Sequence, residues 1–301
     1  MLKWSKYFQT PQHLELYRTM IMDADYKGLI SRWIRLRDSC RILDVGCGTG
    51  AFVNYLATET TGSEFIGIDI DDDFIAYANG KLFPKSNSYK FLVGDACNLP
   101  FEDESFDLVI SYTALTNIPD SNRVMSEMLR VARINGWISS VTTQGSKYNP
   151  GFEGEYLSQH NYYREYRSLR HLILNAYEQV QPSLEYLQYG TEPQKIPLLF
   201  SKSGLHGVEM HAIGNAFSLS NSLLPISEKK RLIELDYLCE RNKFVAFQEL
   251  EAMRRLVDTE TMERYLSILK ERRDSLLKDA ENNQAWEWIG GAQLLMCGQR
   301  R

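Results

Sequence analysis

Cysteine is sparse in this 301-residue chain: five residues, Cys40, Cys47, Cys97, Cys239 and Cys297, scattered and odd in number. They form no C-x-x-C pair, which argues against a disulfide framework or structural zinc and fits a reduced, cytoplasmic setting. No metal site is expected. The sequence also has no run of 18 apolar residues, and its opening Met1-Leu2-Lys3-Trp4 starts no apolar signal core, so neither a membrane span nor an export signal is expected. Basic blocks are missing too. No Lys/Arg run exceeds three residues and the net charge is −5, whereas a protein that grips phosphate backbones carries a basic stripe. That balance leans away from nucleic acid and membrane surfaces as partners. With five histidines, the chain shows no Ser-His-Asp or metal-ligand constellation. What remains is a globular composition long enough for one large core plus additions.

The most informative stretch is Arg41-Ile-Leu-Asp-Val-Gly-Cys-Gly-Thr-Gly50. Ile42 to Val45 reads as a short buried strand, glycines follow at positions 46, 48 and 50, and an amphipathic segment begins at Ala51. A strand that turns through glycines into a helix brings bare backbone and a helix N-terminus against a ligand. Open α/β sheets hold nucleotide-like cofactors in this way at the carboxyl ends of their strands. Gly46, Gly48 and Ala51 also satisfy the G-x-G-x-x-G/A spacing of dinucleotide sites, with Asp69 near the distance of a ribose-binding acid. Asp44 argues against NAD: a pyrophosphate would bring negative charge towards this carboxylate, whereas a cationic sulfonium and ammonium would be attracted to it.

Asp44-Val-Gly-Cys-Gly-Thr-Gly50 resembles the first motif of class I S-adenosylmethionine (SAM)-dependent methyltransferases, of the small-molecule type. Later segments keep the resemblance in order. Glu64-Phe-Ile-Gly-Ile-Asp69-Ile70 is a second strand ending in a carboxylate, Tyr89-Lys-Phe-Leu-Val-Gly-Asp95-Ala96 a third, and Ser105-Phe-Asp107-Leu-Val-Ile110 a fourth. The resemblance implies a seven-stranded, mostly parallel sheet of order 3-2-1-4-5-7-6, last strand antiparallel, with helices on both faces. It implies SAM as methyl donor, S-adenosylhomocysteine as product, and cofactor contacts from Asp44, Gly46, Cys47, Gly48, Gly50, Asp69, Ile70, Asp95, Ala96 and Ser111. Asp69 would take both ribose hydroxyls, and Asp95 with the next backbone N–H would take the adenine edge.

Around residues 39–145, the SAM-binding core, the remaining chain divides into an N-terminal helical segment (1–38), a cover segment (146–190), a sixth-strand region (191–225), a helical insertion (226–285) and the last strand (286–301). Apolar spacing from Leu14 to Leu36 predicts helix interrupted near Asp23-Ala-Asp25; it packs on the sheet, or part of 4–26 serves as a lid, or both. Asp71-Asp-Asp73 and Asp120-Ser121 offer helix N-termini and caps. Eight of the 17 tyrosines lie between Tyr148 and Tyr189. They read either as helix core, since Tyr162, Tyr166, Leu169, Ile173 and Tyr177 have helical spacing, or as a wall against an aromatic or amine-bearing substrate. From Ser227 to about Asn282 glycine and proline are absent, which predicts two helices with a break at Asp258-Thr-Glu-Thr261. Their apolar stripe (Leu232, Leu235, Leu238, Phe244, Phe247, Met253) packs on the body, or the insertion extends the substrate cover or a homodimer interface.

SAM is already activated, so a methyltransferase mainly positions its nucleophile and excludes water, and a base is needed only for a protonated acceptor. After the fourth strand the chain reads Ser111-Tyr112-Thr113-Ala114, without the Asn/Asp-Pro-Pro-aromatic turn of amide and exocyclic-amine methylases. The catalytic candidates are Tyr112, where the methyl would emerge, and His160, as a base carried on the cover segment; core packing is the other reading of Tyr112. His13, His206 and His211 read as structural. The expected activity is methylation of an O or N atom of a small molecule. The alternatives are an RNA or protein methyltransferase docking through the insertion, and a SAM-binding module without catalysis.

Overall fold

Ile42, Leu43 and Val45 are fully buried, as expected of a strand covered on both faces, where a continuous apolar run replaces alternation. The computed structural model describes residues 4–7, 9–143, 160–180, 195–219, 221–282, 284–285 and 288–301. The expectations for Tyr148, Tyr156, Tyr186, Tyr189 and the start of the sixth-strand region fall outside them. In chain order the elements are α1 (Trp4–Tyr7), α2 (Pro11–Ile21), a 3-10 turn (Ala24–Tyr26), α3 (Lys27–Trp33), β1 (Arg41–Val45), α4 (Ala51–Leu56), β2 (Glu64–Asp69), α5 (Asp72–Asn79), β3 (Ser88–Val93), β4 (Phe106–Tyr112), α6 (Ser121–Val131) and β5 (Ala132–Thr143). Then follow α7 (Tyr163–Val180), α8 (Ile196–Lys202), β6 (His206–Ser218), α9 (Ile226–Glu249), α10 (Glu251–Leu256), α11 (Thr259–Glu281) and β7 (Trp288–Gln299).

The seven strands form one sheet in the order β3-β2-β1-β4-β5-β7-β6. β1 to β5 pair in parallel, with Asp44 opposite Gly67 and Ile110, and β7 runs antiparallel to β5 with Cys297 opposite Ser139. This is the topology that the family resemblance implied. Local signals set its helices. Asp71 accepts from Asp73 N, and Asp120 accepts from Arg123 N; each side chain satisfies a helix-end donor. Gly204, at φ +78°, ends the α8 region.

By its contacts the chain forms two compact units. The sheet unit comprises Tyr17–Asn149, Tyr189–Asn215 and Gly291–Arg301. Its core has two layers, one on each face of the sheet: Ile42, Ile110, Tyr112 and Leu295 face Ile34, Phe52 and Leu56, while Leu43, Val109, Ile138 and Met296 face Val124, Met128 and Phe200.

The helical unit comprises Met1–Leu16, Pro150–Gln188 and Ala216–Gly290. Its core joins Tyr166, Ile173 and Tyr177 of α7 to Phe244, Phe247, Met253, Tyr265 and Leu269 of the insertion. Tyr177 stacks on Phe247 at 4.2 Å between ring centroids. Tyr162, Tyr163, Tyr166 and Tyr177 are all buried, so for these four the core reading holds. The insertion has three helical segments where two were expected: Asp258 caps α11 as anticipated, but Leu250 adds a second break, extended at φ −80°, ψ 116° between α9 and α10. That break turns Met253 inward to 1% exposure. Of the expected stripe, Leu238 instead faces out. Inside this unit Arg170 Nε donates to Glu240 Oε1 at 2.9 Å, and the Tyr265 hydroxyl reaches the same oxygen at 3.3 Å.

Candidate functional site

The site is built where β1 ends. Gly46, Gly48 and Gly50 hold φ of +72°, +53° and +70°, left-handed values that side chains resist. At Gly46 the requirement is also spatial, since a Cβ there would lie 2.3 Å from the Ala114 Cβ. The turn is pinned from below: Gly46 N and Cys47 N donate to the Ile68 carbonyl at 2.8 and 3.0 Å, and Gly48 N donates to Asp69 Oδ2 at 2.9 Å. Asp69 Oδ1 takes the Asp71 N–H at 2.9 Å. One carboxylate thus ties the glycine turn to the start of α5. Burial pushes the Asp69 carboxyl up to about 6, against the pull of the Asp71 and Gly48 N–H groups.

Asp44 sits two residues before the turn, 1% exposed. Neither of its carboxylate oxygens has a hydrogen-bond partner among the described residues. Burial, with the nearby Asp69 charge, raises its pKa to about 8, and Arg18 opposes that rise. A buried carboxylate without a hydrogen-bond donor is costly, and Arg18 offsets only part of that cost. A cationic group on a bound ligand would remove that cost, so the residues present fit a cofactor bearing a sulfonium and an ammonium. The chemistry such a cofactor supplies is an activated methyl group.

The other expected contacts distribute unevenly. Cys47 is buried, and burial raises its thiol pKa well above the ordinary value, so it shapes the turn and is no nucleophile. Ile70 is half exposed beside Asp69. Asp95 lies exposed at the end of β3, its Oδ1 taking the Cys97 N–H at 2.8 Å, and Ala96 is buried. Ser111 departs from this group. Because Ile110 is the residue opposite Asp44, alternation sends the Ser111 side chain to the other face of the sheet, where its buried hydroxyl has no partner among the described residues.

Tyr112 shares the face of Asp44. Its ring packs 4.6 Å from that of Phe52, and its hydroxyl meets the Gln293 amide, 2.7 Å from Nε2 and 2.9 Å from Oε1. Burial raises the phenol pKa. Next to it, Thr113 holds φ +58°, an unusual state for a β-branched residue. The Thr113 backbone is fixed by a 2.7 Å bond from its N–H to the Val141 carbonyl and by the Asn117 amide donating to its carbonyl at 2.8 Å. Arg18 of α2 donates from Nη2 to Thr113 Oγ1, and its guanidinium lies 4.7 Å from the centre of the Tyr112 ring. Sequence reasoning missed Arg18, Thr113 and Gln293. The one available signal was a charged residue on a segment already marked as a lid. His160 belongs to the helical unit, where it stacks on Tyr162 at 5.1 Å and lies 3.7 Å from Asp279.

Comparison with known proteins agrees with this geometry. Residues 43–140 match a family described as "Methyltransferase domain". Tocopherol O-methyltransferase, chloroplastic, of Arabidopsis thaliana is 39% identical over 104 residues, 34% of this chain and 30% of that protein. Demethylmenaquinone methyltransferase of Bacillus subtilis is 27% identical over 183 residues, 60% of this chain and 77% of that protein. The chain spans less than half the length of the first curated relatives it matches. Among solved structures, Haemonchus contortus phosphoethanolamine N-methyltransferase 2 in complex with S-adenosyl-L-methionine is similar over 99% of this chain and 59% of that one. Its TM-score is 0.50 and its identity 18%, a likeness of fold. With the sheet order and the glycine turn, these findings show that residues 43–140 match a methyltransferase domain and that the strands around them have a Rossmann-like methyltransferase fold.

Proposed function

We propose that the chain transfers a methyl group from SAM to an oxygen or nitrogen atom of a small molecule by in-line displacement. The observation that carries this reading is the Asp44 carboxylate, buried with both oxygens unpartnered among the described residues at the mouth of the glycine turn. A cationic methyl donor turns that cost into affinity. Asp44 holds the cationic end of the donor, the bare backbone of the 46–50 turn lies along its amino-acid portion, and Asp69 takes the ribose hydroxyls. Asp95 and Ala96 meet the adenine edge while Ile70 offers an apolar face to its ring.

The printed substrates of the curated relatives, tocopherol and demethylmenaquinone, support a small-molecule acceptor over RNA or protein. Five free cysteines support a reduced cytoplasmic setting, and no described helix is long and apolar enough to cross a membrane. Tyr112 shapes the acceptor side and does not act as base, because its hydroxyl is engaged by Gln293 and its pKa is raised. His160 is assigned no chemical step: its ring sits on Tyr162 beside Asp279.

The test is incubation with methyl-tritiated SAM and a panel of phenols, carboxylic acids and amines. Transfer of label to an organic-extractable acceptor supports the reading; label appearing in RNA or protein, and in none of the panel, overturns the small-molecule assignment.

A further inference from the structure

Strand β6 carries its polarity the wrong way round. It ends the sheet order, so one side of its backbone has no neighbouring strand among the described residues. Along Val208-Glu-Met-His-Ala-Ile213 successive side chains alternate between the two faces of the sheet. Glu209, His211 and Ile213 take the face covered by α3 and the residues after it. There His211 stacks on Trp33 at 4.3 Å between ring centroids, Glu209 Oε1 accepts from Arg35 Nη2 at 2.7 Å, and Ile213 joins the core layer of Ile34. Val208, Met210 and Ala212 take the other face. Val208 lies there beside Gly298 of β7, whose added Cβ would be 3.2 Å from it. Yet Val208 is 37% exposed and Met210 57%, and Ala212 is exposed with them. The covered face thus bears an acid and an imidazole, while the uncovered face is apolar.

We propose that this edge is an interface with a second copy of the chain, the two β6 strands pairing antiparallel about a two-fold axis at Met210. The inference goes beyond methyl transfer and does not depend on it.

Three observations converge. First, the edge is not blunted. An exposed apolar edge strand is a template for pairing, and natural edges are guarded by proline or by lysine and other charges on the open face. Val208 to Ile213 contains no proline, lysine or arginine, and its one acid lies on the covered face.

Second, the strand complements itself. A two-fold interface joins one patch to the same patch. An axis at Met210 sets Met210 against Met210 and Val208 against Ala212 on the apolar face, and it sets Glu209 against His211 on the other. The neighbouring registers that keep apolar opposite apolar fit worse. An axis at Glu209 would oppose carboxylate to carboxylate, which cross-strand pairs disfavour. An axis at His211 would oppose the two imidazoles and leave Glu209 facing Ile213.

Third, the polar pair is within reach of the edge. The Glu209 side chain is 41% exposed and that of His211 25%. Glu209 already meets Arg35 at 2.7 Å and His211 of its own strand at 3.3 Å, and a carboxylate has lone pairs beyond those two contacts.

The test is analytical ultracentrifugation of the purified full chain at micromolar concentrations. The wild type is expected to sediment with twice the mass of one chain. Met210→Lys, which would set two ammonium groups against each other at the axis, should leave only the single chain, with a circular dichroism spectrum like that of the wild type because Met210 is exposed.

Disulfide trapping reads the register separately. Opposed residues of antiparallel strands have Cα atoms about 4.5–5.5 Å apart, inside the span that a disulfide bridges. Oxidised Met210→Cys should therefore link to its own kind across the axis, as identified by peptide mapping. Val208→Cys should link poorly by itself and well when mixed with Ala212→Cys. A wild type that stays a single chain, a dimer that survives Met210→Lys, or Val208→Cys linking to itself as readily as Met210→Cys overturns the proposal.

Discussion

A side chain on Gly46 and the methyl of Ala114 would occupy the same space: a Cβ added at Gly46 falls 2.3 Å from the Ala114 Cβ. The turn that follows β1 and the turn that follows β4 are therefore in direct contact, and the bare backbone of one is a condition of the other.

Gly46→Ala is accordingly expected to cost about 2 kcal/mol or more, from the contact and the left-handed φ together. Gly207→Ala is the control. It shares the positive φ, at +58°, but has nothing within 4 Å of the added carbon, so about 1 kcal/mol is expected. Urea unfolding of both variants measures the difference; equal costs would remove the packing argument.

Asp44→Asn should move two properties in opposite directions. In the ligand-free fold the Asp44 pKa is raised from 3.8 to about 8, so the folded state holds a proton that the unfolded state has lost. Its contribution to stability is fully present below the unfolded value and is lost as pH rises towards about 8. Asp44→Asn therefore stabilises the ligand-free protein at slightly alkaline pH and flattens this part of its pH profile, while SAM affinity falls. Melting temperatures with and without SAM across that range check both arms. Because a cationic donor pairs with the ionised carboxylate, wild-type affinity for SAM should also rise with pH up to about 8.

Asp69→Ala is expected to weaken SAM binding by about 1–3 kcal/mol, the cost of leaving two ribose hydroxyls unpaired. The bonds from Gly48 N and Asp71 N to the two Asp69 oxygens predict a lower melting temperature as well. Calorimetry for affinity and a thermal scan for stability separate the two effects.

The helical unit carries its own pH dependence. Burial alone would raise the Glu240 pKa, but Lys243 and Arg170 outweigh it and hold the carboxyl below its ordinary value. A depressed carboxylate stabilises above the unfolded pKa, and that contribution is lost as pH falls through the folded value. Arg170→Met should cost about 1–2 kcal/mol near neutral pH, a figure kept low because the arginine is partly exposed. The cost should shrink at acid pH, as Glu240 takes up a proton. Denaturant midpoints at neutral and acid pH provide the check.

Legibility in the sequence followed the range of the interactions. The β1 strand, the glycine turn, the aspartate caps at Asp71, Asp120 and Asp258, and the glycine after α8 rest on contacts within a few residues. Each was readable from local residue types. Sheet order came from the family resemblance, since pairing of distant strands leaves no local mark. The acceptor side was not readable. Arg18 and Thr113 are 95 residues apart, Tyr112 and Gln293 are 181 apart, and neither pair has a spacing to betray it. The break at Leu250 escaped for another reason: no glycine or proline announces it, and the burial of Met253 accompanies the turn. Ser111 lies one step along the strand from Ile110, so its hydroxyl is on the face opposite Asp44.

The central claim is that the Asp44 glycine turn binds SAM. Calorimetric titration of the purified chain with SAM, S-adenosylhomocysteine and NAD in parallel tests it most directly. The account predicts micromolar binding of the first two, none of NAD, and a marked loss of SAM affinity in Asp44→Asn. Binding of NAD, or a SAM affinity that Asp44→Asn leaves unchanged, would contradict it.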